Sequence, residues 1–452
     1  MGRVGLRLFI GLLGSLAAMA SASAADVTSV FNYTSTVSSD TNGALDLTAE
    51  LNYDSTLTNA PIMVLMHGYS TPTGYSAVRT QAQRLRDEGF FVISVSLRGR
   101  DGSDGVRDSG GVEIYDIYDA VEAVKKTYAS HTDTASVSIT GVSGGGGNVM
   151  SALTKFPDYF RVGASYFGMS DYGYDSTNGW YNNGANSGGK RTTELDRDIG
   201  NPNTGGSAVL DRYMARASNL ASKNNPYTEI HLFVNANEPI CPVVNDTSYK
   251  NNAVAAASYA GEFDNITVHI GEAGTYYDFD GDGVNDSNEQ QYWPHGAPTA
   301  DQQASSESWY VQRLLNGEIA QPVLNSSDDL YVAGFVKTTP FEFWLGDGQN
   351  AAGDLTYSLS STSKTFHLEV LSSDLSVASS LKVDTEDMEG KEIQVLLDGE
   401  LVDTFTGGDV YQYAGLVDGS TVTFSVVPEP GTCALLAAGA AAFGMWRIRR
   451  RR

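Results

Sequence analysis

Short apolar segments alternate with longer segments of helical periodicity from about residue 59 to residue 318. The segments "PIMVLMHG" and "FFVISVSLRG" predict buried strands, and "YSAVRTQAQRLRDEG" between them predicts a helix that ends at a glycine. The alternation continues through "YDIYDAVEAVKKTYA", "ASVSITGVS", "GGGNVMSALTKF" and "VGASYFGMS" and, after a long Gly/Asn-rich insertion, through "EIHLFVNA", "NITVHIGE" and "ADQQASSESWYVQRLLNG". This alternation predicts an α/β fold, in which a mostly parallel sheet is covered by helices on both faces.

The pattern changes after residue 320, where the predicted helices disappear. Segments such as "DLYVAGFVKTTPFEFWL", "TFHLEVLSS" and "STVTFSVV" alternate apolar and polar residues, with Gly, Asp and Ser turns between them. They predict a small antiparallel β-domain of the sandwich type. We therefore expect an α/β region at 26–318 and a β-domain at 319–426, with targeting segments at 1–25 and 427–452.

The N-terminal segment has the order of a secretory signal. Arg3 and Arg7 precede the apolar run "LFIGLLGSLAAMA", and the small residues of "SASAAD" follow it. We expect cleavage near Ala24 or Ala25. The body of the protein is then exported from the cytoplasm.

The C-terminal segment joins a Pro-Glu-Pro triplet, an apolar run and a cluster of arginines in "VVPEPGTCALLAAGAAAFGMWRIRRRR". The apolar run is shorter than the ~20 residues of a typical membrane span. With Pro428, Glu429 and Pro430 as the triplet, the segment resembles the PEP-CTERM sorting signal of Gram-negative bacteria. The resemblance implies transient anchoring in the membrane, processing by an exosortase-type protease, and a final place at the cell surface or in the extracellular matrix. An ordinary tail anchor is the alternative.

The acidity of the chain argues against one class of partner. The formal net charge is −25, and removal of both ends takes away seven arginines and at most one acidic residue. The mature body therefore carries a charge close to −31 or −32. Such a surface repels polyanions, so we expect no nucleic-acid partner.

A glycine-rich turn in "SITGVSGGGGN" carries the strongest chemical signal. Gly141, Ser143 and Gly145 fit the pattern G-x-S-x-G between a predicted strand and a predicted helix. Small residues flank the serine in such a turn because the backbone bends too sharply for larger side chains. This context predicts that Ser143 is a nucleophile.

A nucleophilic serine needs a base, and the chain has six histidines from which to choose it. His231 and His269 lie within predicted strands, and His67 belongs to a turn at the end of a strand. Only His295 lies in a loop beyond the last strand of the predicted sheet, in the chain order serine, acid, histidine. We predict that His295 is the base.

The acid should follow the strand "EIHLFVNA". Glu238 is the first carboxylate after that strand, where it can orient the imidazole and stabilise the imidazolium, and Asp246 is the second choice. Backbone N–H groups of Gly144 and of Tyr69, just after "HG", are the candidates for an oxyanion hole.

An acidic loop, "DFDGDGVNDSNE", lies between the last predicted strand and His295. It fits the calcium pattern D-x-[DN]-x-[DN]-G-x5-E, in which carboxylates at alternate positions converge on a hard cation. The predicted ligands of a structural Ca²⁺ are Asp278, Asp280, Asp282, the carbonyl of Val284, Asp286 and Glu289. A solvated acidic loop without metal is the alternative.

The motifs from about Pro61 to Leu315 resemble, in their order, the catalytic domain of the prolyl oligopeptidase family within the α/β-hydrolase fold. "MHGYS", "SLRGRDGSDG" and "ITGVSGGGGN" resemble the segments of the first loop, the next strand and the nucleophile. "YFGMSDY" resembles the following strand with its aspartate, Asp171; "NEPICP", with Glu238 in the place of an aspartate, and "PHG" resemble the acid and histidine segments.

The resemblance implies an α/β-hydrolase fold and an exported serine peptidase that needs no organic cofactor. A carboxylesterase that acts on acylated polysaccharide stays open, because the segment "YGYDSTNGWYNNGANSGGKRTTELDRDIGNP" shows no clear clamp for a peptide amino terminus. A non-catalytic surface or matrix protein built on a hydrolase scaffold is a third alternative. The expected substrate is thus a peptide or an acyl ester.

Overall fold

The computed structural model describes residues 25–37, 44–69, 74–185, 190–271, 276, 283–284, 295 and 300–428. Most of the predicted signal peptide and most of the C-terminal sorting segment lie outside these residues. Of the predicted calcium ligands only Val284 lies within them, and its side chain is exposed.

A large sheet forms the centre of the described α/β region. Its strands are β1 (Asp26–Thr34), β2 (Asp46–Asp54), β3 (Ala60–Met66), β4 (Phe91–Val95), β5 (Thr132–Val142), β6 (Val162–Tyr166), β7 (Glu229–Asn235) and β8 (Ile266–Gly271). They lie in the order β1-β2-β4-β3-β5-β6-β7-β8. The pairs β1–β2 and β2–β4 are antiparallel, and all the other pairs are parallel. The mostly parallel sheet predicted from the sequence is confirmed.

The helices of this region lie between the parallel strands in the chain, apart from the last helix, which follows β8. They are α1 (Arg79–Asp87), α2 (Glu113–Thr127), α3 (Gly144–Lys155), α4 (Trp180–Asn183), α5 (Lys190–Asp198), α6 (Ser207–Met214), α7 (Val244–Ala256) and α8 (Ala300–Leu315), with 3-10 turns at Tyr75–Val78 and Ser222–Asn224. The sequence patterns predicted α1, α2, α3 and α8. The patterns did not predict α4 to α7, of which α4, α5 and α6 have nine residues or fewer and α7 has 13.

The sheet is covered on both faces, and the side chains of its central strands show this directly. In β3, Ile62 and Val64 belong to one apolar cluster, whereas Met63 and Leu65 belong to a second cluster on the other face. All four side chains are fully buried. A strand buried on both faces is apolar throughout, which is why "PIMVLM" shows no alternation of apolar and polar residues.

Two antiparallel sheets follow the α/β region. Their strands are β9 (Ser327–Ala333), β10 (Phe335–Lys337), β11 (Phe341–Leu345), β12 (Ala352–Leu359), β13 (Ser363–Val370), β14 (Ser379–Asp384), β15 (Glu392–Leu397), β16 (Glu400–Thr406), β17 (Val410–Ala414) and β18 (Thr421–Val426), with a 3-10 turn at Glu386–Met388. The sheet orders are β10-β11-β14-β17 and β16-β15-β18-β13-β12-β9. Residues from both sheets, among them Phe343 and Phe366, share one apolar core, as in a sandwich.

No helix within the described residues is long and apolar enough to cross a membrane. The apolar run of the predicted sorting segment lies beyond residue 428, outside the part of the chain that the structure describes.

Candidate active site

The sharp turn between β5 and α3 carries Ser143. The backbone of Ser143 has φ 59° and ψ −121°, a conformation that non-glycine residues rarely adopt. Its N–H donates to the carbonyl oxygen of Tyr166 on the neighbouring strand β6 at 2.7 Å. The half-buried side chain therefore stands at the carboxyl end of the sheet and at the N-terminus of a helix. A positive helix end there favours a developing negative charge.

The glycines after Ser143 allow two backbones to meet. A Cβ atom on Gly144 would lie 2.2 Å from the amide nitrogen of Tyr69, and one on Gly145 would lie 2.3 Å from the carbonyl oxygen of Met66. Larger residues at these positions would push α3 away from β3. The close approach brings the backbones of Gly144 and Tyr69, the two residues predicted for an oxyanion hole, into contact.

The imidazole of His295 lies beside Ser143. Its Nε2 is 3.0 Å from Ser143 Oγ, which is hydrogen-bond distance. The ring of Phe167, which follows β6, lies with its centroid 5.6 Å from that of His295 and borders the imidazole. The His295 side chain is only 14% exposed, so the contact with Ser143 is largely shielded from water.

The other ring nitrogen of His295 faces Glu238. Nδ1 lies 3.0 Å from Glu238 Oε1, although the direction of the Nδ1–H bond falls outside good hydrogen-bond geometry. The Glu238 carboxylate is held in place by the backbone N–H groups of Ile240 and Cys241, which donate to Oε1 at 2.8 and 3.4 Å. The Glu238 side chain is 1% exposed. Ser143, His295 and Glu238 thus form a continuous chain of contacts.

Asp246, the alternative acid, lies in the first turn of α7 and is fully buried. Neither of its carboxylate oxygens has a hydrogen-bond partner among the described residues. Burial, together with the nearby charge of Glu238, raises the pKa of Asp246 well above its usual range. The contact to His295 is therefore made by Glu238 and not by Asp246.

Three other described histidines, all in the α/β region, lie in structural surroundings. His67 is fully buried between Arg100 and the backbone, and burial lowers its pKa to about 3. His231 and His269 pack against each other across β7 and β8, with Nδ1 of the first 3.1 Å from Nε2 of the second. Burial lowers the pKa of His269 to about 3. These three rings are core residues.

The Tyr69 side chain is anchored at both its hydroxyl and its ring. The hydroxyl lies 2.8 Å from Ser109 Oγ, which in turn donates to Asp198 Oδ2 at 2.7 Å. The Arg107 guanidinium lies 4.9 Å from the centre of the Tyr69 ring, and the Trp180 ring packs edge-on at 5.0 Å. The sequence patterns gave no sign of this anchoring, because Ser109 and Asp198 are polar residues in unrelated segments.

Two aromatic residues of the Gly/Asn-rich insertion are core residues. Trp180 and Tyr181 are buried, and Trp180 Nε1 donates to the carbonyl oxygen of Ile240 at 2.7 Å. The segment that follows Glu238 is therefore braced by α4. Because these rings are buried, they do not offer an exposed stacking platform for a sugar.

Residues 76–197 match the prolyl oligopeptidase family, and residues 426–452 match the PEP-CTERM protein-sorting motif. These matches confirm both resemblances inferred from the sequence. The family match includes Ser143, whereas Glu238 and His295 lie beyond it. No curated protein matches the chain.

The order of the strands in the large sheet confirms the predicted α/β fold. Solved structures that are similar to this chain include three hydrolases. An esterase from Pyrococcus furiosus is 12% identical (65% of this chain and 93% of that chain covered, TM-score 0.41). The acylaminoacyl peptidase of Pyrococcus horikoshii is 16% identical (66% and 43%, TM-score 0.45), and oligopeptidase B of Leishmania major is 15% identical (64% and 37%, TM-score 0.43). The matched part spans less than half of the length of the two peptidases.

Proposed function

We propose that the protein is an exported serine hydrolase with Ser143 as nucleophile, His295 as base and Glu238 as the acid that orients the base. The observation that carries the proposal is the chain of two 3.0 Å contacts from Ser143 Oγ through the imidazole to Glu238, built on a strained turn at a helix N-terminus. A serine hydroxyl is almost never ionised at neutral pH, so a base at this distance is what makes it reactive.

The reaction proceeds by acyl transfer. Ser143 Oγ attacks the carbonyl carbon of the substrate while His295 Nε2 accepts the hydroxyl proton. The backbone N–H groups of Gly144 and Tyr69 donate to the oxyanion of the tetrahedral intermediate. The imidazolium returns its proton to the leaving group, and a water molecule, deprotonated by the same imidazole, releases the acyl group from Ser143.

Peptides are the first substrate class, and carboxylic esters are the second. The match of residues 76–197 to the prolyl oligopeptidase family favours peptide bonds. An esterase remains the alternative, since acyl transfer by serine serves both bonds. The burial of Trp180 and Tyr181 gives no support to a polysaccharide stacked on those rings.

The proposal also includes the location of the protein outside the cytoplasm and a structural Ca²⁺. The PEP-CTERM match supports export in a Gram-negative bacterium, and we expect exosortase-type processing followed by display at the cell surface or in the matrix. A structural Ca²⁺ held by the loop from Asp278 to Glu289 is supported by the sequence pattern alone. Its position between β8 and His295 suits a metal that orders the histidine segment without taking part in the reaction.

A fluorophosphonate probe tests the proposed function, because it reacts covalently with activated serines. We expect wild-type protein to be labelled and Ser143→Ala to remain unlabelled while it keeps the wild-type melting temperature. A folded wild-type protein without labelling would contradict the enzyme and favour the scaffold protein. A panel of peptides and acyl esters then separates the substrates: turnover of esters alone would exclude the peptidase.

A further inference from the structure

One buried arginine links the β-sandwich to the candidate active site. We propose that Arg216 is a positioning residue, an inference that rests on the proposed function. Through Arg216 the β-sandwich holds Tyr69, and with it one of the two N–H donors of the oxyanion hole, in place. Arg216 follows α6 and is 2% exposed, so it lies inside the protein between the sandwich and the α/β region. Its contacts form the first step of a connected path to Tyr69.

The Arg216 guanidinium joins the sandwich to a loop before α2. On the sandwich side it donates to Gln349, from Nη1 to the carbonyl oxygen at 2.7 Å and from Nη2 to Oε1 at 3.2 Å. On the α/β side its Nε donates to the carbonyl oxygen of Asp108 at 3.0 Å. A planar guanidinium makes these bonds in fixed directions, which a lysine ammonium does not reproduce.

The loop from Asp108 to Gly111 is held by two buried carboxylates. Glu113 accepts hydrogen bonds from the N–H groups of Asp108 and Gly110, and Asp108 accepts them from Gly111 and Glu113. Burial and the adjacent Glu113 raise the pKa of Asp108 to about 7, while Arg216 opposes this shift. The positive charge of Arg216 therefore also stabilises this pair of buried acidic side chains.

Ser109 lies at the centre of the loop and carries the path to Tyr69. Its φ is 52°, a strained value that persists only where the surroundings enforce it. The Ser109 hydroxyl gives its proton to Asp198, so it accepts the proton of the Tyr69 hydroxyl. The position of Ser109 thus fixes the Tyr69 side chain, and through it the backbone N–H that faces the nucleophile turn.

A second contact of the sandwich offers a matched control. Lys223 pairs with Asp329 and, at 3.0 Å, with Asp354, and it is partly exposed. It spans the same two parts of the protein, but none of its described contacts reaches the loop from Asp108 to Gly111. Loss of Lys223 weakens the docking of the sandwich without disturbing Tyr69.

The experiment compares the variants Arg216→Lys, Gln349→Ala and Lys223→Met of the full-length protein. It measures kcat and KM for the substrate of the panel that the wild type turns over fastest. We expect Arg216→Lys to lower kcat about tenfold with little change in KM, because small displacements at a reacting centre are costly. Gln349→Ala removes one hydrogen-bond acceptor of Arg216 and is expected to fold. It should also lower kcat, but by a smaller factor. Lys223→Met should lower the melting temperature and leave kcat unchanged.

A double variant tests the path itself. Tyr69→Phe removes the hydroxyl but keeps the backbone N–H, so Arg216→Lys should have little further effect on kcat in that background. Additive losses, or equal kcat values for Arg216→Lys and Lys223→Met, would overturn the proposal. Hydrogen exchange gives a readout that does not need turnover: the amides of residues 108–111 should exchange faster in Arg216→Lys than in Lys223→Met. Unchanged exchange refutes the positioning role, whereas an unreactive wild-type serine refutes only the proposed function.

Discussion

At the scale of single residues, two buried carboxylates lie in the same short segment, and only one of them contacts the imidazole. Glu238 is bound by two backbone N–H groups and lies 3.0 Å from His295 Nδ1. Asp246 is equally buried, but its oxygens have no partner among the described residues. The two groups differ in their partners: Glu238 accepts hydrogen bonds from two backbone N–H groups and faces the imidazole, whereas burial raises the pKa of Asp246.

Glu238→Gln and Asp246→Asn form a matched pair for assigning the acid. Glu238→Gln should lower kcat by about 10³–10⁴-fold, because an amide neither fixes the reactive tautomer nor stabilises the imidazolium. Asp246→Asn keeps the shape of the side chain and leaves the Glu238–His295 contact in place, so kcat should stay at the wild-type value. Steady-state kinetics at neutral pH would measure both, and the reverse result would assign the acid to Asp246.

The pH dependence of stability tests the protonation of Asp246 separately. Its pKa is raised in the folded protein, so between the unfolded pKa of about 3.9 and the folded value the native state binds more protons than the unfolded one. The contribution of Asp246 to the free energy of unfolding is therefore fully present below that pH range and is lost as the pH rises through it. An asparagine does not titrate, so Asp246→Asn does not lose this contribution as the pH rises. The melting temperature of the variant relative to the wild type should therefore increase from pH 4 to pH 7; a constant difference would show that Asp246 is ionised.

At the scale of elements, the regular strands and the helices α1, α2, α3 and α8 could be predicted, but the helices α4 to α7 could not. The helix α5 has the sequence "KRTTELDRD", in which Leu195 is the single apolar side chain. A helical stripe needs several apolar residues at regular spacing before it can be recognised. What fixes α5 and α6 are contacts distant in sequence, such as the Ser109 bond to Asp198 and the Ser373 bonds to Asp211.

The acidic loop between β8 and His295 gives the element-scale prediction. If Ca²⁺ orders this segment, a chelator should lower both the melting temperature and kcat, and added Ca²⁺ should restore both. The same treatment should have no effect on a variant in which Asp278, Asp280 and Asp282 are all changed to Asn. Metal analysis before and after chelation is the control. Unchanged melting and activity after proven removal of the metal would contradict the proposal.

At the scale of the whole molecule, the β-sandwich is packed into the α/β region by buried polar and aromatic groups. The side-chain amide of Asn224 pairs with both the N–H and the carbonyl oxygen of Tyr331, each at 2.9 Å. Lys155, the last residue of α3, donates to the carbonyl oxygens of Ala333 and Ala215, and its ammonium lies 4.4 Å from the centre of the Phe335 ring. The helix that begins at the nucleophile thus ends against the sandwich.

We expect this packing to make the two parts unfold together. A calorimetric scan of the protein without its terminal segments should give one cooperative unfolding transition. If the β-sandwich separated from the α/β region, Lys155 and Asn224 would lose their hydrogen-bond partners and the apolar Phe335 would be exposed to water. Replacement of Asn224 by Ala should lower that transition. Two well-separated transitions in the wild type would instead indicate an independent module on a linker.

The sequence by itself determined the alternation of strands and helices, the turn that presents Ser143 and the sorting signal at the C-terminus. These features are encoded over short stretches by periodicity, glycine and charge order, so they can be recognised without tertiary contacts. Glu238 was the first choice of acid because of its place after a predicted strand, but only the tertiary structure showed its contact with His295 and the contacts of Arg216 with Gln349 and Asp108. Both depend on burial and on directions between groups far apart in the chain, and no local pattern of residue types encodes these.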